Sequence, residues 1–343
     1  MSSADRGRRG GEPRPATPGE ARRPALDADA LLGAARRPLV VGIGGGGDVV
    51  GALATAEAAR LQHGARPVVG GVTWERRPID PVPGPRHLNE IEGGRQLAPG
   101  VLAAGPDTRV RESGVLFGES RMAGFLGEET VLVDANGGPA AVAAGLTAAV
   151  DALGADLVVF LDVGGDVLAH GDEPGLASPL CDSILLAAAG RMAAAGVPTL
   201  GGLFGIGCDG ELTPREVDAR LAEIGAAGGL AGARGLTEPV AALLEGAIEH
   251  VPTEASAMAV RAFRGQTGPT AIRAGRRTLE LTMAAAATVY FDVTVAMATA
   301  ARLPALVDPA TSLDEANDAL NAAGIRTELD YERENAYPRA PGA

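Results

Sequence analysis

Apolar runs and Ala-rich segments alternate along much of the chain, and this alternation predicts βα units. The first apolar run, Pro38–Ile43, stops at four consecutive glycines and Asp48, and an Ala-rich segment then continues to His63 before Gly64. This order predicts a strand, a tight loop and a helix that ends at a glycine. A second predicted strand, Arg66–Val72, completes a βαβ unit.

The same alternation resumes at residue 130. The further predicted strands are Thr130–Val133, Asp156–Leu161 and Pro198–Ile206. The predicted helices are Asp27–Ala35, Pro139–Leu153, Asp182–Ala195, Glu238–Glu249, Glu254–Phe263 and Ser312–Ala323, and a further helix begins at Thr213. A β or helical segment is expected near Arg277–Ala301. Strands that alternate with helices predict an α/β fold with a doubly wound, mostly parallel, Rossmann-like sheet and helices on both faces.

Two kinds of segment depart from this pattern. Residues 1–36 are rich in Arg, Pro and Gly and are expected to form a disordered tail, residues 37–335 a single domain, and residues 336–343 a second tail. Thr73–Pro99 has no clear periodicity and is expected to be either a functional loop or disordered. The sole tryptophan and the Arg76–Arg77 pair favour the functional loop. Residues 101–127 are expected to hold short strands.

Composition excludes several classes of protein. The chain contains no lysine, which excludes a lysine-containing P-loop and Schiff-base chemistry through a protein lysine. The formal net charge of -13 argues against a nucleic-acid partner. No apolar run reaches the roughly 20 residues of a membrane span, and two cysteines do not make a disulfide scaffold, so a cytoplasmic protein is expected. A small-molecule ligand is the expected partner, and a homo-oligomer is left open.

The ends of the predicted strands share a composition. They carry Gly44–Asp48, Thr73–Arg77, Asp134–Gly138, Asp162–Asp166 and Gly207–Gly210, and four of these five segments pair Gly with Asp. Ligands of open α/β sheets bind outside the carboxyl ends of the strands. The five segments are therefore expected to meet at one edge of the sheet and to form a ligand site there.

The glycine loop is the predicted phosphate-binding element. Its Gly44, Gly45, Gly46 and Gly47 follow a strand and precede a helix, and Gly42-x-Gly44-x-x-Gly47 matches the dinucleotide fingerprint. Asp48 argues against that fingerprint, because a carboxylate in the first helical turn would repel a pyrophosphate. Asp48 could instead cap the helix, hold Mg²⁺ between the protein and a phosphate, or bind a ribose hydroxyl or a substrate amine.

Acidic pairs and flanking residues supply the remaining candidates. Asp162 and Asp166 flank a Gly-Gly turn and could act as general acid and general base, or bind a metal together with Asp48. Asx-turns, in which each aspartate bonds to its own loop, would also explain them. His170 is the one imidazole in that loop and is a further catalytic candidate. Other candidate ligand-binding residues are Thr73, Trp74, Glu75, Arg76, Asn136, Gly137 and Cys208, and Arg77 and Arg86 are candidate anion binders. Packing alone would account for Cys208, and a solvated loop for the arginines.

Several blocks together resemble a known family. They are Gly42–Val49, Gly71–Arg76, Asp162–Asp166, Ser178–Asp182, Gly207–Leu212 and Pro252–Ala255. These blocks resemble the domain-of-unknown-function 1152 family of archaea and actinobacteria, and the resemblance covers roughly residues 38–335. The resemblance implies a single α/β domain. It implies no reaction, because the family has none assigned.

Three hypotheses on function follow from the residues. The first is an enzyme that acts on a phosphorylated or nucleotide-like small molecule, with Mg²⁺ as its cofactor. The second is an NAD(P)-dependent oxidoreductase that uses the glycine loop as a dinucleotide fingerprint, with Glu75 as the ribose-binding acid. The third is a non-catalytic ligand-binding or sensor protein. The acidic and glycine-rich strand ends favour the first.

Overall fold

The computed structural model describes residues 26–335 of the chain. Nine of its strands form one mixed sheet, and two others form a separate antiparallel pair. The strands are β1 Pro38–Gly42, β2 Val68–Val72, β3 Ile91–Ala98, β4 Val101–Val110, β5 Thr130–Val133, β6 Leu157–Val163, β7 Thr199–Phe204, β8 Leu230–Gly235, β9 Gly268–Ile272, β10 Arg277–Leu281 and β11 Ala287–Phe291.

Twelve α-helices accompany these strands in residues 26–335. They are α1 Ala28–Ala34, α2 Asp48–His63, α3 Gly118–Leu126, α4 Gly138–Leu153, α5 Pro179–Ala194, α6 Pro214–Ala226, α7 Glu238–Ile248, α8 Ala255–Phe263, α9 Val293–Ala298, α10 Leu303–Val307, α11 Leu313–Ala322 and α12 Glu328–Arg333. Short 3₁₀ turns lie at Leu88–Glu90, Asp166–Leu168 and Met283–Ala286. None of the helices in the described part of the chain is both long and apolar enough to cross a membrane.

The large sheet has a parallel centre and antiparallel edges. Its strands lie in the order β3-β4-β5-β2-β1-β6-β7-β11-β8, and the five central strands, β5 to β7 in that order, pair in parallel. The chain leaves β1 towards β2 on one side and later returns to β6 on the other. The direction of winding therefore reverses between β1 and β6, which is where doubly wound sheets open a ligand crevice. The predicted α/β fold is confirmed.

Helices cover both faces of the sheet, and each face has its own hydrophobic core. Leu39 and Val41 of β1 point into a core that includes residues of α4, α5 and α9 to α11. Val40, between them, points into a second core with α2, α7 and α8. This alternation is the period-two pattern of a strand that is buried on both faces, and it explains why the run reads as continuously apolar.

The edge strands and several helices, α10 among them, depart from the sequence-based predictions. The segment Thr73–Pro99, predicted to lack regular structure, contains β3, and residues 101–127 contain β4 and α3 as well as loops. Strand β3 was missed because it lies at the edge of the sheet, where four consecutive residues are exposed and its register with β4 shifts near Gly93. Helix α12 falls where no helix was predicted, and α5 begins at Pro179 rather than Asp182.

The two predicted tails lie mostly outside the described residues. Residues 1–25 and 336–343 are not described. Helix α1, predicted over Asp27–Ala35, forms and contacts both α2 and β8, so the ordered structure begins before residue 36. Its N-terminus is capped by the Asp27 carboxylate, which accepts hydrogen bonds from the backbone N–H groups of Asp29 and Ala30.

We predict that Gly51→Ala destabilises the fold although alanine favours helices. Gly51 lies inside α2, and a Cβ there would be 2.4 Å from Cγ2 of Val163, so the helix would have to move away from β6. Such overpacking costs about 1–3 kcal/mol, which exceeds the gain of up to about 1 kcal/mol in helix propensity. Urea unfolding of the purified variant measures the difference.

Gly124→Ala is the matched control. Gly124 also lies inside a helix, α3, but it is exposed, and a Cβ added there would meet Cβ of Pro106 at an ordinary 3.5 Å. This variant should be more stable than the wild type by about 0.5–1 kcal/mol. Equal stabilisation by both substitutions would contradict the tight packing of α2 on β6.

Candidate functional site

A cavity of about 270 Å³ lies at the carboxyl ends of the central strands. It is bordered by segments that follow β1, β2, β6 and β7, by the β9–β10 turn and by α12. Its lining includes Gly45, Gly46, Gly47, Asp48, Glu75, Arg76, Arg77, Ser178, Asp209, Thr253, Glu254, Arg273, Arg276, Glu328, Tyr331 and Glu332. Three of the five strand-end segments named from the sequence therefore contribute residues to one cavity.

The glycine loop after β1 is folded against the protein itself. The backbone N–H of Gly44 donates to the Asp48 carboxylate at 2.9 Å, and the N–H of Gly46 donates to the carbonyl of Trp74 at 2.9 Å. A Cβ on Gly47 would lie 2.3 Å from Cβ of Thr253. The loop needs glycine because protein atoms approach it closely and because Gly45 and Gly46 have positive φ.

The first turn of α2 opens onto the cavity. The helix begins after Gly47, and no side chain in the described structure caps its N-terminus. Because the N–H groups of a first turn lack acceptors within the helix and carry the positive end of its dipole, such a terminus attracts anions. Two of the loop amides are already bonded within the protein, so the terminus of α2, rather than the whole glycine loop, offers the free donors.

Arg76 is held over this opening. Its guanidinium stacks on the Trp74 ring at 4.2 Å from the ring centre, and Nη2 donates to the carbonyl of Gly44 at 2.6 Å. Nη2 also lies 3.2 Å from Oε1 of Glu328. Nη1 is buried and has no hydrogen-bond partner among residues 26–335. Arg76 therefore keeps one donor unused beside the N-terminus of α2.

Helix α12 closes the other side of the cavity with two glutamates. Glu328 accepts the backbone N–H groups of Leu180 and Cys181 at 3.0 and 2.9 Å, which fills the anion-attracting N-terminus of α5. Glu332 accepts Nε1–H of Trp74 at 3.0 Å. The α5 terminus is thus occupied by a protein carboxylate, whereas the α2 terminus is not.

Three aspartates form a buried group beneath the loop. One oxygen each from Asp48, Asp162 and Asp182 lies within 4.8 Å of the others. Burial raises the pKa of Asp48 to about 7, against the opposing effects of the Gly44 N–H and Arg76. Burial also raises the pKa values of Asp162 and Asp182 well above their usual range, and the negative charges of the neighbouring aspartates add to it.

A second acidic group, Asp166, Asp209 and Glu211, lies beside the first. Burial and the charge of Glu211 raise the pKa of Asp209 to about 7, and burial raises the pKa of Asp166 well above its usual range. Burial also acts to raise the pKa of Glu211, but Arg273, Arg277 and hydrogen bonds outweigh it, so its pKa is lowered. Glu211 is consequently the ionised member of this group, paired with Arg273 at 3.3 Å.

Glu75 and Glu119 form a third acidic pair, after β2. Glu75 lines the cavity and accepts the backbone N–H of Gly118, and burial raises its pKa to about 7. Glu119 is 1% exposed, and neither carboxyl oxygen has a partner in the described structure. Burial, and then the charge of Glu75, raise the pKa of Glu119 well above its usual range. Burial therefore favours the neutral, protonated form of Glu119, which lies behind the cavity wall.

Other sequence-predicted residues lie outside the cavity lining. His170 belongs to a separate cluster, in which its Nε2 lies 2.7 Å from Nη1 of Arg220 and 3.1 Å from Glu223. Cys208 is fully buried in the core on the α2 face, and burial raises the pKa of its thiol. The hydroxyl of Thr73 is buried and donates to a backbone carbonyl. Their roles at a ligand site stay predictions.

The segment after β5 borders a different depression. Asn136 lines a cavity of about 380 Å³ with Arg86 and His87, and its side-chain amide donates to the carbonyl of Pro85. Gly137 precedes α4 as its N-cap. Arg86, a candidate anion binder, forms two short hydrogen bonds to buried Asp80, so its guanidinium already holds a protein carboxylate.

Four residues that shape the site were not predicted from the sequence. Asp182 was assigned only to a helix, and Glu211, Arg273 and Glu328 were not proposed as site residues. The matching block Ser178–Asp182 carried a signal for the first of them. Glu328 had no local signal, because its contacts with α5 span 147 and 148 residues of sequence.

A larger cavity than this one lies elsewhere in the described structure. It measures about 990 Å³ and is lined by residues from the start of β2 and β5 and by Leu53 and Leu97. None of the sequence-predicted site residues lines it. It lies towards the amino ends of these strands, whereas ligands of doubly wound sheets bind at the carboxyl ends. The smaller cavity is therefore the candidate functional site.

Comparison with known proteins identifies the family. The model of the family described as protein of unknown function (DUF1152) matches residues 39–336. The chain belongs to this family. No curated protein and no solved structure matches the chain. The expected family membership is confirmed. The geometry of the cavity is the basis on which a function is proposed below for this chain.

We predict that Glu119→Gln flattens the pH dependence of stability. The folded protein holds a proton on Glu119 above the unfolded pKa of about 4.5, so this group makes stability fall as pH rises from 4.5 towards the folded pKa. Glutamine has nearly the same shape and does not ionise. Urea unfolding should therefore show similar stability of variant and wild type near about pH 4, and a more stable variant near about pH 8.

Glu112→Gln is the control for this experiment, because Glu112 is exposed and the same change removes one carboxyl group. Its stability should follow the wild-type profile. If E119Q also followed that profile, Glu119 would not be a neutral buried acid in the folded protein.

Proposed function

We propose that this protein is an enzyme that acts on a phosphorylated or nucleotide-like small molecule in the cavity between the carboxyl ends of β1 and β6. One observation carries the proposal: the uncapped N-terminus of α2 opens into the cavity beside Arg76, which has an unused buried donor. Both features attract an anion. Arg76 also contacts Glu328 at 3.2 Å, and the first turn of α2 carries Asp48, whose negative charge is weakened because burial raises its pKa to about 7.

The positive groups of the cavity suit a phosphate. A helix N-terminus supplies backbone N–H donors and a favourable dipole, and a guanidinium supplies charge-assisted hydrogen bonds. Arg273, on the β9–β10 turn, also lines the cavity, and 34% of its side chain is exposed. A phosphate at the α2 terminus would thus meet donors from backbone and side chains, in a protein that has no lysine.

The acidic groups of the cavity support a reaction rather than binding alone. Asp48, Glu75 and Asp209 line the cavity and have pKa values raised to about 7. Carboxyl groups with such pKa values can donate or accept protons near neutral pH, which suits general acid–base catalysis. Asp162 and Asp166, the catalytic candidates from the sequence, lie behind this lining as parts of the two buried acidic groups.

An NAD(P)-dependent oxidoreductase is the second candidate. If the five parallel strands are numbered by their order along the chain, their order across the sheet is 3-2-1-4-5, as in dinucleotide-binding sheets. Glu75 lies just after β2, where such proteins bind the ribose. Asp48 and the internal bonds of Gly44 and Gly46 speak against a pyrophosphate on the glycine loop. This candidate predicts metal-independent NAD(P) binding that Glu75→Gln weakens.

The test is a thermal-shift screen over ATP, ADP, NAD(P), sugar phosphates and phosphoribosyl compounds, with and without Mg²⁺. A compound present at about 100 times its dissociation constant stabilises the fold by about 2.7 kcal/mol, which shifts the melting temperature measurably. Titration calorimetry then gives the affinity of each compound that shifts it. We expect Arg76→Gln and Arg273→Gln each to weaken binding about tenfold or more, since each removes a charge-assisted bond.

Arg215→Gln is the matched control, because Arg215 is an exposed residue of α6 outside the cavity. If no phosphorylated compound bound, or if R76Q and R273Q bound as tightly as R215Q, the proposal would fail. Arg273→Gln keeps the test decisive should R76Q not fold, because Arg273 is partly exposed and has one ion pair. Binding without turnover, even with cell extract added, would favour the sensor hypothesis.

A further inference from the structure

The carboxylates of half-buried Asp48 and buried Asp182 meet beside Gly44, and an oxygen of buried Asp162 lies within 4.8 Å of an oxygen of each. A Cβ on Gly44 would lie 2.6 Å from Oδ2 of Asp48 and 3.4 Å from Oδ1 of Asp182. Asp162 and Asp182 are each 1% exposed. A glycine is therefore required where two of the acids meet, and any other residue would fill the space between them.

Two oxygen atoms of this group lack any partner. Oδ2 of Asp162 and Oδ1 of Asp182 are buried and accept no hydrogen bond from the residues that the structure describes. Unpaired buried carboxylate oxygens are costly, because water no longer solvates them. Oxygens left open in this way point to a cation that binds where they converge.

The two other groups of three candidate metal ligands in the described structure do not share this property. Oxygens of Glu211 accept the N–H groups of Ala177 and Ser178, and Arg273 and Arg277 bring positive charge. In the group of His170, Asp172 and Glu173, the Glu173 carboxylate accepts two backbone N–H groups. In both groups protein donors already occupy oxygens that a cation would need.

We propose that Asp48, Asp162 and Asp182 bind one hard divalent cation, Mg²⁺ or Mn²⁺, at the base of the cavity. One carboxylate oxygen from each lies within 4.8 Å of the others, so a small inward movement of the side chains brings all three to a single ion. Carboxylate oxygens are the ligands that such ions prefer. The set differs from the one expected from the sequence, since Asp182 replaces Asp166.

Asp48 connects this ion to the cavity. It lines the cavity, whereas Asp162 and Asp182 lie beneath it, so the side of the ion that faces Asp48 is the side open to solvent and ligand. Mg²⁺ in proteins keeps water and substrate phosphate oxygens in such open positions. This part of the inference rests on the proposed function: the ion would link the three aspartates to a phosphate at the α2 terminus.

The experiment uses Mn²⁺ alone, without any phosphorylated ligand. Titration of the protein with Mn²⁺, followed by the electron paramagnetic resonance signal of the free ion, should show one binding site that Mg²⁺ competes for. Asp162→Asn and Asp182→Asn should each weaken Mn²⁺ binding about tenfold or more, because each replaces an ionised ligand. Asp172→Asn, the same change at an exposed acid of another group, should leave the affinity unchanged.

The melting temperature of each variant shows whether a loss of Mn²⁺ binding results from misfolding. Without metal, D162N and D182N should melt at the wild-type temperature or above it, because each removes a buried acid whose ionisation is penalised by burial, and Mn²⁺ should no longer raise that temperature. Absence of Mn²⁺ binding to the wild type would overturn the inference, as would undiminished binding by D162N and D182N. Loss of binding in Asp209→Asn alone would place the ion in the neighbouring group and equally overturn it.

The result of the Mn²⁺ titration does not depend on whether a phosphorylated compound binds. Mn²⁺ is measured without ligand, and the phosphorylated compounds are also measured without metal. Loss of the cation site with retained ligand binding, or the reverse, therefore shows which of the two proposals fails.

Discussion

The close approach of helix α2 to the sheet is the contact on which the geometry of the site depends. Gly42, Gly44, Gly47 and Gly51 lie on the strand end, the loop and the first turns of the helix, and a Cβ at each would come within 2.8 Å of protein atoms. Without side chains at these positions, the helix N-terminus can lie directly over the end of β1. This placement brings Asp48 towards the acids of β6 and α5, and it aims the free backbone donors into the cavity.

At this edge of the sheet, charged groups lie at two depths: around the cavity and beneath it. Arg76, Arg273 and the α2 terminus border the cavity, while Asp162 and Asp182 lie beneath it. Acids also belong to the cavity wall, because Asp48, Glu75 and Asp209 line it with the arginines. Here the lower acids are separated from the arginines by the glycine loop, whose Gly44 carbonyl and amide bond to Arg76 and Asp48 respectively. The loop thus acts as a polar partition between opposite charges.

The sequence predicts the centre of the fold better than its edges. Pro38–Ile43 and Asp156–Leu161 are apolar throughout most of their length because both faces of those strands are buried, and the pattern is unambiguous. Strand β3 has a Gly-Gly pair and polar residues in the exposed half of an edge strand, so neither period two nor apolar content marks it. Its existence depends on pairing with β4, which local sequence does not encode.

The candidate site also contains residues that the sequence predicts and residues that it does not. The acids at strand ends could be predicted, because the carboxyl ends of parallel strands must meet at one edge. Asp182 could not be distinguished from an ordinary first-turn acid, because its importance comes from its position opposite Gly44. His170 reads as a catalytic imidazole in the sequence, yet the structure places it with Arg220 and Glu223, outside the cavity lining.

The contribution of α12 has a consequence for how the protein is made. Glu332 reaches Trp74 across 258 residues of sequence, and Glu328 caps α5 from 147 residues away. During synthesis the ribosome releases the strands, the glycine loop and α5 well before these glutamates. The nascent chain can therefore assemble its sheet while the α5 terminus and the tryptophan still lack their final partners. The cavity acquires its finished wall, and with it any competence to select a ligand, only after α12 has left the exit tunnel.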